Sequence, residues 1–381
     1  MRKHALHLVV VSLLIMLVSC NANNPKSYTI SFDINGADGG SPPDSIIISP
    51  QAPPASAPSY GFLYKTGYSF CGWSTEQNNP DEKSLIHSGD LLNLNKDTTL
   101  YALWDIPCEF LSAGSGSCYY VACNNKNIEY CSIPSEYKGK PVPNIDNSAF
   151  SDCRFLKSVT LSEGLTSIGN YAFQRCISLQ SIALPESLTN IYMFAFRGCT
   201  ALKSITLPES LKGIETCAFK ECISLEEITI PSSVETITSG AFQGCTSLQS
   251  VTLVEGLKAI NKEAFQGCTS LSEIIIPSSV TMIKQNVFQG CTALKSVTLS
   301  EGLTYIGIFA FNNCSSLTKI TIPSSVRTIE SSSFEGCSTL QSINFKGTKA
   351  QWGSIEKKES WDANTGDYTI HCTDGDIPKG N

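Results

Sequence analysis

The chain has 381 residues, 41 % of them hydrophobic and 16 % charged, which allows two or three folded domains and excludes a disordered polyelectrolyte. Its formal net charge is −7, and removing the basic leader leaves 25 basic against 34 acidic residues. An acidic surface with no basic run repels phosphate backbones, so no nucleic-acid partner is expected.

Residues 1–19 have the layout of an export leader: Arg2-Lys3-His4, then an apolar run from Ala5 to Val18, too short for a transmembrane helix. The run ends in Leu17-Val18-Ser19-Cys20, which resembles the lipobox of bacterial lipoproteins. That resemblance implies cleavage before Cys20 and lipidation of its thiol and new amine. Two or more acyl chains, at about 0.8 kcal/mol per buried methylene, hold a protein stably on a bilayer. The expectation is an exported chain, lipid-anchored to a bacterial membrane at the cell surface, touching the membrane only through the anchor. Residues 20–27 then form a short polar tether.

Residues 28–104 read as a small first module. Tyr28-Thr-Ile-Ser-Phe-Asp-Ile34 alternates like a half-buried strand and runs into the turn signal Asn35-Gly36; Thr98-Thr-Leu-Tyr-Ala-Leu-Trp104 alternates again. With Gly67-Tyr-Ser-Phe-Cys-Gly-Trp73 between them, these pieces resemble the Listeria–Bacteroides repeat, the β-grasp-like α+β module of internalin B repeats. In that family such modules act as spacers or weak contact surfaces, and Trp73 and Trp104 read as core. The segment from Ser49 to Ser59 departs from the family in its length and its prolines; it is expected to loop out rather than join a sheet.

Residues 105–152 read as a linker and irregular cap. From Cys153 a cysteine recurs every 23 residues: 153, 176, 199, 222, 245, 268, 291, 314 and 337. Phenylalanine stands three before each and leucine three after. Ile or Val follows at plus six, an apolar residue at plus eight, Leu or Val at plus twelve, and Ile at plus fifteen wherever the unit is complete. A fixed period of apolar slots is the signature of a stacked solenoid. Ile182 and Leu184 alternate with Ser181 and Ala183 as a strand, Pro185 closes it, Leu188 and Ile191 form a second buried stretch, and the Ala-Phe pair suits one helical turn. One unit buries about six side chains worth roughly 1.5–3 kcal/mol each. Ordering its backbone costs about 1–2 kcal/mol per residue. A lone coil therefore cannot fold, and stability must come from coil-to-coil contact.

The pattern resembles the BspA-like, or Treponema pallidum-type, leucine-rich repeats of bacterial surface proteins. The resemblance covers residues from about 117 to the end and implies a β-rich leucine-rich repeat solenoid of about nine to ten coils, with residues 153–340 as its regular 23-residue repeats. Residues 341–381, with Trp352, Trp361 and Thr369-Ile-His-Cys-Thr-Asp-Gly375, would close it.

The 17 cysteines do not read as a disulfide framework, because nine occupy one slot between Phe and Leu, where a small buried hydrophobe belongs. Cys108, Cys118, Cys123 and Cys131 cluster at the join between modules, where a disulfide could staple the cap; their spacings do not match zinc knuckles. Cys71, Cys217 and Cys372 have no partner visible in the sequence. His4 and His7 lie in the leader, leaving only His87 and His371. No catalytic residue, metal ligand or cofactor is therefore expected.

The outward strand positions carry the candidate binding face. Lys157, Gln180, Lys203, Glu226, Gln249 and Lys295 stand at plus four, and Thr206, Thr229 and Thr252 at plus seven. A column five before each ladder cysteine holds Tyr171, Phe194 and Phe309, which are expected to pack on the helical turn. Two functions follow: recognition of host extracellular-matrix or other surface proteins, or of glycans, as the resemblance implies for fibronectin and fibrinogen; or a structural spacer of the cell envelope with no ligand. A binding site should break repeat uniformity locally, whereas a spacer should stay uniform.

Overall fold

The computed structural model describes residues 27–380, apart from 38–39, 51, 60–68, 78–84, 106–108, 113–116 and 124. The leader, Cys20 and Cys108 thus lie outside the described residues.

In the first module, β1 (Tyr28–Asp33), β2 (Ile46–Ile48), β3 (Ser69–Ser74), β4 (Leu85–Ile86) and β5 (Thr98–Asp105) form one sheet in the order β2-β1-β5-β3-β4. The β1–β5 pair is parallel; the others are antiparallel. Alternation in β1 turns Ile30 and Phe32 inward onto Phe70, Trp73, Leu92 and Leu100. Gly72 sits at a register shift in β3 with φ +138, where a Cβ would lie 2.8 Å from the Ile86 carbonyl oxygen. The proline-rich segment is not a free loop. Ala57 donates to the Asp90 carbonyl at 2.8 Å, Leu92 donates to Ala55 at 2.8 Å, and the Pro58 carbonyl accepts from Trp73 Nε1 at 2.9 Å. The alanines between the prolines keep their N–H and C=O groups, and prolines still accept.

The rest of the described chain is a solenoid of about 11 turns of roughly 23 residues, with little helix. The stretch read as a second buried segment builds the longer of its two sheets. Strands of mostly two residues, Asn144–Ile145, Ser167–Ile168, Asn190–Ile191, Gly213–Ile214 and onward to Glu356–Lys357, pair in parallel. With the hairpin Glu109–Ser112/Tyr119–Ala122 they make a continuous sheet of twelve strands. Its inward slot is Ile in nine successive coils, 145 to 329, each no more than 1 % exposed.

The strand anticipated at plus five to plus eight forms the other face, and this face is broken. Tyr130–Ile133, Ser158–Leu161 and Ser181–Ala183 make one sheet, Glu227–Thr229 and Ser250–Thr252 a second, and six strands from Glu273–Ile276 to Gly375–Pro378 a third. The coil between the first two contributes a single bridge, Ser181 to Ser204.

A phenylalanine ladder, Phe150 to Phe334, closes each coil; successive rings lie 5.0–5.7 Å apart and within 11° of parallel. All nine ladder cysteines are fully buried. From Cys176 onward each Sγ donates to the carbonyl of the phenylalanine 26 residues earlier, at 3.1–3.3 Å. That carbonyl also accepts the N–H of its own coil's cysteine, as Phe150 does from Cys153 at 3.0 Å. The slot therefore suits a small apolar residue with one weak donor. The Ala-Phe pair lies in tight turns closed by bonds three residues back, such as Cys176 N to the Phe173 carbonyl at 3.1 Å. Two left-handed residues recur in each coil, five and one before the cysteine: Tyr171 and Arg175, Phe194 and Gly198, Cys217 and Glu221.

Both ends are closed. At the carboxyl end the helix Lys349–Ser354, capped by Thr348 and Gln351, buries Trp352 against Phe345, and Trp361 stacks edge-on against Phe334. The antiparallel strand Gly375–Pro378 covers the last edge of the third sheet. At the amino end the first module docks onto the solenoid. Cys71 joins the solenoid core together with Cys123 and Cys131. The Glu129 side chain, fully buried, accepts from Lys157 Nζ at 2.8 Å, the Ser88 amide at 2.9 Å and His87 Nδ1 at 3.1 Å. The His87 ring stacks on Phe155 at 3.8 Å.

Candidate functional site

The plus-four residues point outward because the flanking leucine (plus three) and the Ile or Val (plus six) are drawn into the core. Their backbones stay hydrogen-bonded from coil to coil: Lys203 N to Gln180 at 3.2 Å, Glu226 N to Lys203 at 3.1 Å, Gln249 N to Glu226 at 2.8 Å. Beyond this rung the strand pairing lapses on both sides of the Glu227–Thr229/Ser250–Thr252 pair. Lys203, Glu226 and Gln249 line an open cleft of about 320 Å³ there, together with Ser204, Glu227 and Ser250. Among the described residues no ion pair uses Lys203, Glu226 or Glu227, so one cation and two carboxylates face solvent without internal partners.

The other anticipated residues fall elsewhere. Gln180 is exposed one coil before the cleft, and Lys295 is exposed two coils beyond it. Thr206, Thr229 and Thr252 are exposed along its flank, with Thr229 paired to Thr252. Lys157 belongs to the inter-module clasp: its Nζ bonds Glu129 and the Ser88 carbonyl (2.7 Å), which leaves its side chain 25 % exposed. Its partner Ser88 is 69 residues away in sequence. Burial alone would raise the Glu129 carboxyl; the bonds from His87, Lys157 and Ser88 and the Lys157 charge outweigh it and hold the group below the ordinary carboxylate value.

The aromatic column is packed away only in part: Phe194 and Phe309 are half-buried, while Tyr171 is exposed. Tyr171 is 36 % exposed and stacks on Phe194 at 5.0 Å, with the Arg197 guanidinium 5.8 Å from the Phe194 ring centre. Both positions have left-handed backbone, with φ of 59 at Tyr171 and 58 at Phe194. A second cleft lies beside them on the long sheet, lined by Tyr120, Tyr192 and a group of asparagines. Its signal in the sequence is the pair of neighbouring segments Asn170-Tyr171 and Tyr192-Met193-Phe194. The ladder thiols carry no nucleophile: burial pushes Cys245, Cys291 and Cys337 up to about 12.

Comparison with known proteins agrees with this architecture. The model of the BspA type leucine rich repeat region matches residues 117–249 and 235–355. A leucine-rich repeat protein of Bacteroides ovatus is 29 % identical, covering 69 % of this chain and 70 % of its own, with a TM-score of 0.60. The Treponema pallidum leucine-rich repeat protein is 25 % identical over 55 % of this chain and 88 % of its own, with a TM-score of 0.43. A leucine-rich cell surface protein of Faecalibacterium prausnitzii is 22 % identical over 66 % of this chain and 96 % of its own, at 0.39. The search of curated proteins gives no match. Since the family model spans well over half of the chain, on the same repeat that builds the two sheets and the phenylalanine ladder, the protein belongs to the BspA type leucine-rich repeat family.

Proposed function

We propose that this is a cell-surface lipoprotein, anchored through Cys20, that recognises other proteins through the interrupted strand face of its solenoid. The lipobox-like Leu17-Val18-Ser19-Cys20 supports the anchor, and the sheet of β1 to β5 suits a Listeria–Bacteroides-type spacer holding the solenoid away from the bilayer. The observation that carries the recognition reading is the cleft at Lys203, Glu226 and Gln249. It falls where the strand pairing lapses, and its charges are not consumed internally. Repeat scaffolds are suited to binding because regular spacing presents many contacts at once, and unpaired charges of mixed sign favour selective encounter with a complementary partner. Host matrix proteins are the proposed partners.

The test is binding of the purified protein to immobilised fibronectin and fibrinogen. Lys203→Ala with Glu226→Ala should weaken binding about tenfold or more, the equivalent of about 1.4 kcal/mol, without lowering the melting temperature. Saturable binding that the double variant leaves unchanged overturns the site. Silence on both proteins favours an envelope spacer.

A further inference from the structure

We propose a second binding site, for neutral pyranose saccharides, in the cleft of the long sheet between the coils that contain Asn147, Asn170 and Tyr192. The cleft measures about 370 Å³ and is lined by Tyr120, Asn144, Asp146, Asn147, Asn170 and Tyr192, with Ser167 and Gly169 at its floor. That volume falls within the ~300–1,000 Å³ of small-ligand sites. It exists because the outward row Asp146–Gly169–Tyr192 has a glycine at its centre. A Cβ on Gly169 would lie 2.8 Å from the Asn147 nitrogen and the Ile145 carbonyl oxygen, so the coils close to backbone contact and leave a gap between flanking side chains.

The amides around this gap are held in one orientation. Asn147 Oδ1 accepts the backbone N–H of Asn170 at 2.7 Å, and Asn170 Oδ1 accepts that of Met193 at 3.1 Å. A backbone N–H can only donate, so the oxygen of each amide is identified and its Nδ2 is the remaining group. Among the described residues no hydrogen bond uses either Nδ2. Asn144 Oδ1 is likewise engaged, by Ser167 Oγ at 2.5 Å. The solenoid thus spends the acceptors of Asn147 and Asn170 on its own ladder and leaves their donors for a ligand, with both side chains already held in place before binding.

The Asp146 carboxylate beside them already accepts the Asn147 N–H on Oδ1 at 2.8 Å, and its other oxygen supplies a strong acceptor. Donor and acceptor together match vicinal hydroxyls, which give and take a hydrogen bond each. Tyr120 and Tyr192, the latter 39 % exposed, offer the flat faces against which the C–H surface of a pyranose packs. Exposed Met193 and the stacked Tyr171–Phe194 pair extend the apolar rim for a longer chain. The carboxylate, in a protein of net charge −7, opposes anionic sugars. No other coil of the long sheet joins two asparagines, an aspartate and a tyrosine in this way.

The experiment uses the whole purified protein on an array of neutral di- to tetrasaccharides of glucose, galactose, mannose and N-acetylglucosamine, beside their sialylated and sulfated counterparts. Neutral saccharides should bind. Asn170→Asp keeps the acceptor for Met193 but removes the donor, and Tyr192→Ala removes a platform on the surface; each should weaken binding about tenfold. Gln285→Ala, in the same row five coils away, should change nothing. Should Asn170→Asp fail to fold, Tyr192→Ala carries the test. Three results overturn the site: silence on all neutral sugars, binding to anionic sugars alone, or wild-type affinity in a folded Tyr192→Ala or Asn170→Asp. The Lys203→Ala/Glu226→Ala pair should bind saccharide normally and Tyr192→Ala should bind fibronectin normally, so failure of one site is distinguishable from failure of the other.

Discussion

The two sheets of the solenoid are written by the same 23-residue period and yet differ in continuity. The long sheet runs unbroken through twelve strands, while the strand face separates into sheets of three, two and six. Their inward slots explain the contrast. Every coil from 145 to 329 presents Ile to the core of the long sheet, and two-residue strands need only that one side chain to keep register. The strand face needs two inward side chains per coil, and these vary: Val or Ile at plus six, Leu, Ile or Phe at plus eight. Leu184 and Leu253 remain partly exposed, whereas Ile230, Ile276 and Ile322 are 1 % exposed or less. Uniform rungs fix the scaffold. Variation loosens one face, and there the charged cleft opens. On the long sheet only outward residues can vary without breaking the ladder, so its cleft is made of side chains over an undisturbed backbone.

The sharpest way to break this contrast is to damage the wall that both sheets share. Phe219 is fully buried between the rings of Phe196 and Phe242, at 5.2 and 5.4 Å. Phe219→Ala should cost about 3–5 kcal/mol in chemical denaturation. Hydrogen exchange should show the loss first at Glu227–Thr229, which has a strand partner on one side only, and later at Gly213–Ile214, paired on both. Equal loss on both sheets would mean that the long sheet is no more secure than the strand face.

A smaller effect is expected where the first module meets the strand face. Glu129→Gln leaves Lys157 and His87 without their buried anion and should cost about 3 kcal/mol. Because Glu129 is held below the ordinary carboxylate value, its stabilisation is complete above that value and is lost as pH falls through the lowered one. Denaturation in urea should therefore separate wild type from Glu129→Gln at pH 7 and bring them together in strong acid. A gap that persists in acid would assign the clasp to packing, with the His87–Phe155 stack the first candidate.

How much of this was legible in the sequence follows from the range of each interaction. The ladders were readable because identical slots 23 residues apart become neighbours, so Phe150 to Phe334 and Cys153 to Cys337 announce their own stacking. The short strands at Ile168 or Ile191 read only as a buried stretch, since two residues carry no alternation. The expected helical turn resolves into turns bounded by left-handed residues; the recurring Gly198, Gly244, Gly267, Gly290 and Gly336 marked one boundary, but Tyr171 and Phe194 masked the other. Lys157 read as a face residue because nothing local ties it to Ser88 or Glu129. Gly169 matters through what it fails to place between Asp146 and Tyr192, and an absent side chain leaves no pattern.

The smallest expected effect tests the slot argument itself. Leu253 lies between Ile230 and Ile276 in the plus-eight row, and pairing lapses between Ser250–Thr252 and Glu273–Ile276 beside it. The backbone bond there, Ser272 N to the Gln249 carbonyl, is stretched to 3.4 Å against 2.8 Å for Gln249 N to Glu226. A β-branched side chain fits a pleated, half-buried surface better than Leu. Leu253→Ile should therefore stabilise the protein by less than about 1 kcal/mol and slow amide exchange at Glu273–Ile276. It should leave exchange at Ala259–Ile260 on the long sheet unchanged, because that rung already rests on a fully buried Ile. Faster exchange at Glu273–Ile276 would place the cause of the interruption in the outward charges of Glu226, Glu227 and Glu273 rather than in the core.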